Sequence, residues 1–244
     1  MSRGSGRFRP RLVPALLTIL VALGCTGLGV WQLERLQWKR GLIAQREAAL
    51  AAAPVAPPAN LTEARALEFH PVVAAGVLLH DRESLLNATG PNGGAGFDVL
   101  TPLRLDDGGT VIIDRGFVPA ELRDAFARQA GPQAGKVRIA GHLRLAPPQK
   151  PNWFVPDNRP EKNQWFWIDL PAIASAHGLG EIAPFYIAAD ATPNPAGWPK
   201  GGAGLPELPN DHLQYAITWF ALALAAIVIY LLAERRGSGD EVGD

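Results

Sequence analysis

Two uncharged apolar runs, one near each end of the chain, leave it few ways to fold. Leu12 to Trp31 and Leu213 to Ala233 contain no Asp, Glu, Lys or Arg, and about 20 residues rising about 1.5 Å each cross the hydrocarbon layer of a bilayer. Both runs read as membrane spans. A cleaved signal peptide would be shorter and end at small residues, whereas the first run continues past Gly24-Cys25 to Trp31, so it reads as an anchor. Arg3, Arg7, Arg9 and Arg11 precede it, and Arg235-Arg236 follow the second. Two spans return the chain to its starting side, and the positive-inside tendency makes that side the cytoplasm. Arg35, Lys39 and Arg40 flank the first span on the other side, but they head a long loop, and long loops translocate largely regardless of charge.

The expected organisation is a cytoplasmic basic tail at residues 1–11, a transmembrane helix at 12–33, a periplasmic domain at 34–211, a second transmembrane helix at 212–233 and a cytoplasmic tail at 234–244. Trp31, Arg35, Trp38 and Leu42 recur at i, i+4, i+7 and i+11, so the first helix continues beyond the bilayer with these residues on one face. It is expected to reach Ala53, where Pro54, Pro57 and Pro58 end it. The remaining middle suffices for one domain. The chain's 26 Gly and 22 Pro favour a turn-rich middle of short strands.

Strand-like runs fall at Glu68–Leu79, Ser84–Ala88, Phe97–Leu105, Thr110–Phe117, Val137–Leu145, Trp165–Asp169 and Pro184–Ala188. Asn92-Gly93-Gly94 and Asp106-Asp107-Gly108-Gly109 supply hairpin turns. Short helices are expected at Glu121–Gln129 and Pro171–His177, the second stopped by Gly178, and a surface loop at Thr192–Leu208. The fold class is therefore a membrane protein of the α+β class, with two transmembrane helices flanking one periplasmic, mainly antiparallel β domain.

With 23 basic and 23 acidic residues, charge gives no reason to expect a nucleic acid or acidic substrate. The only cysteine, Cys25, lies within a span and can form no internal disulfide. There is no Gly-x-Ser-x-Gly elbow, phosphate-cradling glycine loop or Cys-x-x-Cys. His80-Asp81 with Ser84, and the pair Asp106-Asp107, read as surface and turn residues, so no enzyme is expected. An axial ligand for haem iron would come from His70, His80, His142, His177 or His212, since Met1 is the only methionine. His212 is the best placed, at the entry of the second span. A histidine there that only caps or hydrates a helix would look the same. Trp31 leaves the first span at the face where Tyr215 and Trp219 enter the second. These rings suit either one shared site or an ordinary aromatic belt. Arg35, Lys39 and Arg40 above them can pair with ligand carboxylates or with lipid phosphates.

Several segments resemble the Surfeit locus protein 1 family of cytochrome c oxidase assembly factors, over nearly the whole chain. They are Gly29-Val30-Trp31-Gln32-Leu33 to Trp38-Lys39, Asp114-Arg115-Gly116-Phe117-Val118-Pro119, Phe154-Val155-Pro156-Asp157-Asn158 with Trp165-Phe166-Trp167-Ile168-Asp169, and His212-Leu213-Gln214-Tyr215-Ala216-Ile217-Thr218-Trp219-Phe220. Phe117, Ile173 and Asp211 stand where the family often has Trp, Met and Asn. The resemblance implies an assembly factor in the cell inner membrane that binds haem a and assists its insertion into oxidase subunit I. Subunit I, haem a synthase and membrane lipid would be its partners. His212 would be the axial ligand, Tyr215, Trp219 and Trp31 ring contacts, and Arg35 a propionate partner. A scaffold for a subunit I intermediate that binds no haem is the alternative, and a membrane-anchored periplasmic enzyme a more distant one.

Overall fold

The computed structural model describes residues 12–124, 128, 135–194, 197–202 and 208–240. Backbone proximity divides the chain into two units, residues 1–45 with 208–244, and residues 46–207.

The first unit is a helix pair. Helix α1 runs Leu12–Leu50 and, among the elements described here in chain order, the last helix, α4, runs His212–Asp240. Each carries a segment long and apolar enough to cross a membrane. Most of their apolar side chains, such as Leu16, Leu20, Leu224 and Ile229, are exposed, as expected of helices whose solvent is lipid. The buried exceptions, Gly29 and Leu36 on α1 and Ala216 and Ala223 on α4, sit seven residues apart in each helix. That spacing marks one face per helix. A side chain at Gly29 would strike the ring of Phe220, so the two helices touch at a small residue.

The second unit is built on a six-stranded sheet. Its strands are β1 (Pro71–Leu78), β2 (Ser84–Thr89), β3 (Ala95–Leu105), β4 (Thr110–Pro119), β5 (Lys136–Arg144) and β6 (Tyr186–Ala189). The order β1-β5-β6-β4-β3-β2, with a further β1–β3 pairing, closes β1, β5, β6, β4 and β3 into a barrel-like ring. Strand β2 extends the first half of β3 through Ser84↔Leu100 to Thr89↔Ala95, and the last residues of β3 pair with β1. Every pairing is antiparallel except β4–β6, so the mainly antiparallel expectation holds.

Period-two alternation sorts the side chains. Val72 and Ala74 of β1, Leu103 of β3, Val111 and Ile113 of β4, Leu143 of β5 and Ile187 of β6 fill the ring. Ile112 and Tyr186, one position off, face a second cluster with Trp165, Ile168, Leu170 and Ile173. Ile173 and Ala174 come from α3 (Leu170–His177). Asp169 caps that helix by accepting from Ala172 N–H, and Gly178 ends it in the left-handed conformation, as the sequence implies.

Three local expectations need correction. Trp165–Asp169 is not a strand: only Trp165 bridges Leu86. The backbone N–H of Phe166 donates to Asn158 Oδ1, and the Trp165 indole donates to Asn163 Oδ1. Side chains there replace a ladder. The expected helix Glu121–Gln129 begins as a short 3-10 turn, Ala120–Leu122, and much of its remainder lies outside the described residues. Strand β1 starts at Pro71 rather than Glu68, because helix α2 (Leu61–Ala66) precedes it. Asn60 accepts from Glu63 N–H while the Glu63 carboxylate accepts from Ala59 N–H, a reciprocal arrangement like a capping box. The expected Thr192–Leu208 loop is partly outside the described residues.

Candidate functional site at the helix pair

Helix α4 begins where Asp211 C=O accepts from Tyr215 N–H, and a carboxylate at that end suits the positive pole of the helix. His212, Tyr215 and Trp219 follow at i, i+3 and i+7, a single ridge. His212 is half-buried and its Nδ1 lies 2.7 Å from Gln32 Oε1 of α1. A neutral amide oxygen can only accept, so Nδ1 carries the proton and donates. Among the described residues no hydrogen bond engages Nε2. Tyr215 remains 57% exposed, so this ridge has an open flank.

The structure brings three of the five expected site residues onto this ridge. Trp31, next in sequence to Gln32, is rotated about 100° from it around α1 and is half exposed. Arg35 lies with its guanidinium 4.4 Å from the Trp38 ring. Trp31, Arg35 and Trp38 therefore share the neighbouring face of α1, as their spacing predicts. Gln32 is the residue that sequence reasoning passes over, because it and His212 are 180 positions apart and no local pattern couples them.

His70, His80, His142 and His177 all lie in the second unit. There, Ser84 Oγ and His177 Nε2 are 2.9 Å apart, and His80 joins a buried ion cluster around Glu83. His142 lines a cavity of about 480 Å³ with Asp98, Asp114, Arg144, Tyr186 and Asp190. Burial, then the neighbouring Asp98 charge, pushes the Asp114 carboxyl up to about 7, against the Gly116 N–H and Arg144, which pull it down. An acid whose pKa rises on folding contributes stability that is full below its unfolded pKa and is lost as pH rises through the folded one. Asp114→Asn is permanently neutral and keeps an oxygen for Gly116 N–H. It should match the natural protein at pH 3.5 and exceed it by up to about 4 kcal/mol at pH 8, one unit of pKa being worth about 1.4 kcal/mol. Thermal melts of the full chain at both pH values check this. A gap of equal size at both would show that the charge is not the cause.

Among the described residues, no three His, Cys, Asp or Glu gather as a bare metal ion would require. A haem iron brings its own ring nitrogens and asks the protein for only one or two axial donors. The helix-pair ridge fits that demand: one imidazole with a free Nε2, two aromatic rings on the same face, and cations on the adjoining face.

A model described as "SURF1 family" matches residues 19–224. A SURF1-like protein of Monosiga brevicollis is 38% identical over 236 residues, covering 91% of this chain and 87% of its own. Surfeit locus protein 1 of Homo sapiens is 35% identical over 236 residues, covering 90% and 77%. The SURF1-like protein of Drosophila melanogaster is 32% identical, covering 87% and 74%.

Proposed function

The chain belongs to the SURF1 family, and from that premise we propose that it is an inner-membrane assembly factor for haem-copper cytochrome c oxidase. Its cargo is haem a, which it helps to insert into subunit I, and haem a synthase is the partner that supplies it. Both termini are cytoplasmic and the β domain is periplasmic, an orientation supported by the arginine-rich tail and the two apolar spans.

The observation that carries the haem reading is His212 Nδ1 held by Gln32, with Nε2 unengaged, on a ridge shared with Tyr215 and Trp219. His212 offers a neutral imidazole to the iron, and Tyr215 and Trp219 offer ring faces to the macrocycle. A farnesyl tail and macrocycle are apolar while propionates are anionic, so a site at the bilayer boundary suits both. Arg35, stacked on Trp38, supplies a cation for an anionic edge that extends over the adjoining face of α1, and Trp31 flanks it there. The protein holds its cargo and changes no bond in it, so it is read as a carrier and not an enzyme.

The test is the absorption spectrum and haem content of the full chain, purified in mild detergent from cells that make haem a. The natural protein should retain haem, and His212→Ala should insert normally but lose or alter the ligand-dependent bands. An unchanged spectrum in His212→Ala would remove that residue as the ligand. Absence of haem from the unmutated protein would favour the alternative, a scaffold that holds a subunit I intermediate without binding haem.

A further inference from the structure

We propose that Gln32 is the positioning residue for His212: its Oε1 fixes the proton on Nδ1, so that Nε2 is the nitrogen presented to a ligand. The proposal rests on the haem reading above for its consequence, but not for its geometry. Gln32 Oε1 and His212 Nδ1 are 2.7 Å apart, in a bond between the two long helices.

Imidazole has two neutral tautomers, and which one is present is set by the hydrogen bond the other nitrogen makes. A free imidazole exchanges between them, so an unrestrained His212 would present a protonated Nε2 for part of the time. An acceptor at Nδ1 ends that exchange. It also holds the ring plane, because Gln32 sits on the packed side of α1 between Gly29 and Leu36, both buried. Spacing of three and four residues puts all three on one face. His212 lies on the corresponding side of α4, four residues before the buried Ala216. The contact of Gly29 with the Phe220 ring fixes the two helices closely enough for a side-chain amide to span them. Gln32 therefore acts as the partner that metal-bound histidines usually have on their second nitrogen, a role normally filled by a carboxylate, carbonyl or water.

A merely structural interhelical hydrogen bond would hold the pair together without dictating which nitrogen is protonated. Two variants separate the roles. Gln32→Glu keeps an oxygen acceptor at nearly the same length, and Gln32→Leu fills the space and accepts nothing. The full chain is labelled with ¹⁵N-histidine, reconstituted in nanodiscs without haem, and read by NMR, with His212→Ala assigning the His212 signals among the five histidines. The natural protein and Gln32→Glu should show His212 protonated at Nδ1, and Gln32→Leu should shift it toward the Nε2-protonated form. Haem a titration on the same samples should show affinity about 10- to 100-fold weaker in Gln32→Leu, the usual cost of losing such a partner, with Gln32→Glu retaining most of it.

His212 protonated at Nε2 in the natural protein would overturn the proposal, since the amide NH₂ would then be the donor. So would haem affinity in Gln32→Leu equal to that of the natural protein. If the natural protein shows the Nδ1–H tautomer but binds no haem, the haem reading fails while the tautomer assignment stands. The two failures are thus distinguishable.

Discussion

Gly116→Val should remove most folded protein, through a defect in the β domain itself. Gly116 has φ +95°, where a residue with a Cβ costs about 1 to 3 kcal/mol. Space is denied as well: a Cβ there would run into the Lys200 carbonyl and Gly201 Cα. That close approach is a paired one, since Phe117 N–H donates to Lys200 C=O at 3.0 Å and Lys200 N–H returns the bond at 2.9 Å. The backbone thus cannot simply retreat, and forcing extra atoms into packed surroundings adds about 1 to 3 kcal/mol. Both terms together are a large part of the roughly 5 to 15 kcal/mol that holds a domain folded. The readout is the amount of full-length protein in membranes and its resistance to protease. Gly94→Ala is the matched control, because nothing lies within 4 Å of a Cβ built there and it should accumulate normally. Normal accumulation and resistance of Gly116→Val would contradict the account.

Gly116 also shows how the sequence can be read. A glycine between Arg115 and Phe117 inside a strand-like run signals a bulge or close approach, and the Lys200 contact supplies it. The membrane-length helices, the hairpin turns at Gly93 and Gly108 and the Asp169-to-Gly178 helix were legible for similar reasons: each depends on nearby residues. Trp165–Asp169 misleads because its apolar alternation matches a strand, while the backbone of Phe166 and Trp167 is paired by the side chain of Asn158, which no period reveals. Helix α2 was signalled by Asn60 and Glu63 three residues apart, yet the surrounding prolines mask it. The parallel neighbours β4 and β6 meet only after some 70 intervening residues, and strand order over such distances is not written locally. For the ridge, His212, Tyr215 and Trp219 were legible from spacing on one helix. Gln32 was not, since its meaning depends on a partner helix. Charged positions inside the apolar β4, Asp114 and Arg115, were the available hint that this strand carries buried electrostatics.

Glu83→Ala should destabilise the β domain about as severely as the Gly116 change, through charge instead of space. Glu83 follows the short 3-10 turn His80–Arg82 and is buried. Its Oε1 accepts from Arg115 Nη1 at 3.2 Å and from Thr101 Oγ1 at 3.4 Å, with His80 Nδ1 at 3.2 Å, and its Oε2 accepts from Arg128 Nη1 at 2.9 Å. Arg115 and Arg128 are buried as well. Removing the carboxylate leaves both guanidinium groups facing each other without their shared anion, and breaking a buried pair in this way costs about 3 to 5 kcal/mol. Glu83→Gln keeps the shape and an acceptor oxygen, so the part of the loss it reproduces measures charge alone. Burial raises the Glu83 pKa, but the His80 hydrogen bond and the Arg128 and Arg115 charges outweigh it, and the net shift is downward. An acid with a lowered folded pKa contributes stability that is present above its unfolded value, roughly 4.3, and lost as pH falls through the folded one. The penalty of Glu83→Gln relative to the natural protein should therefore be full at pH 7 and shrink below about pH 4. Melting of the full chain in detergent at pH 7 and pH 3.5 checks it. A penalty that stays constant between those values would show that Glu83 acts by its shape and hydrogen bonds, not by its charge.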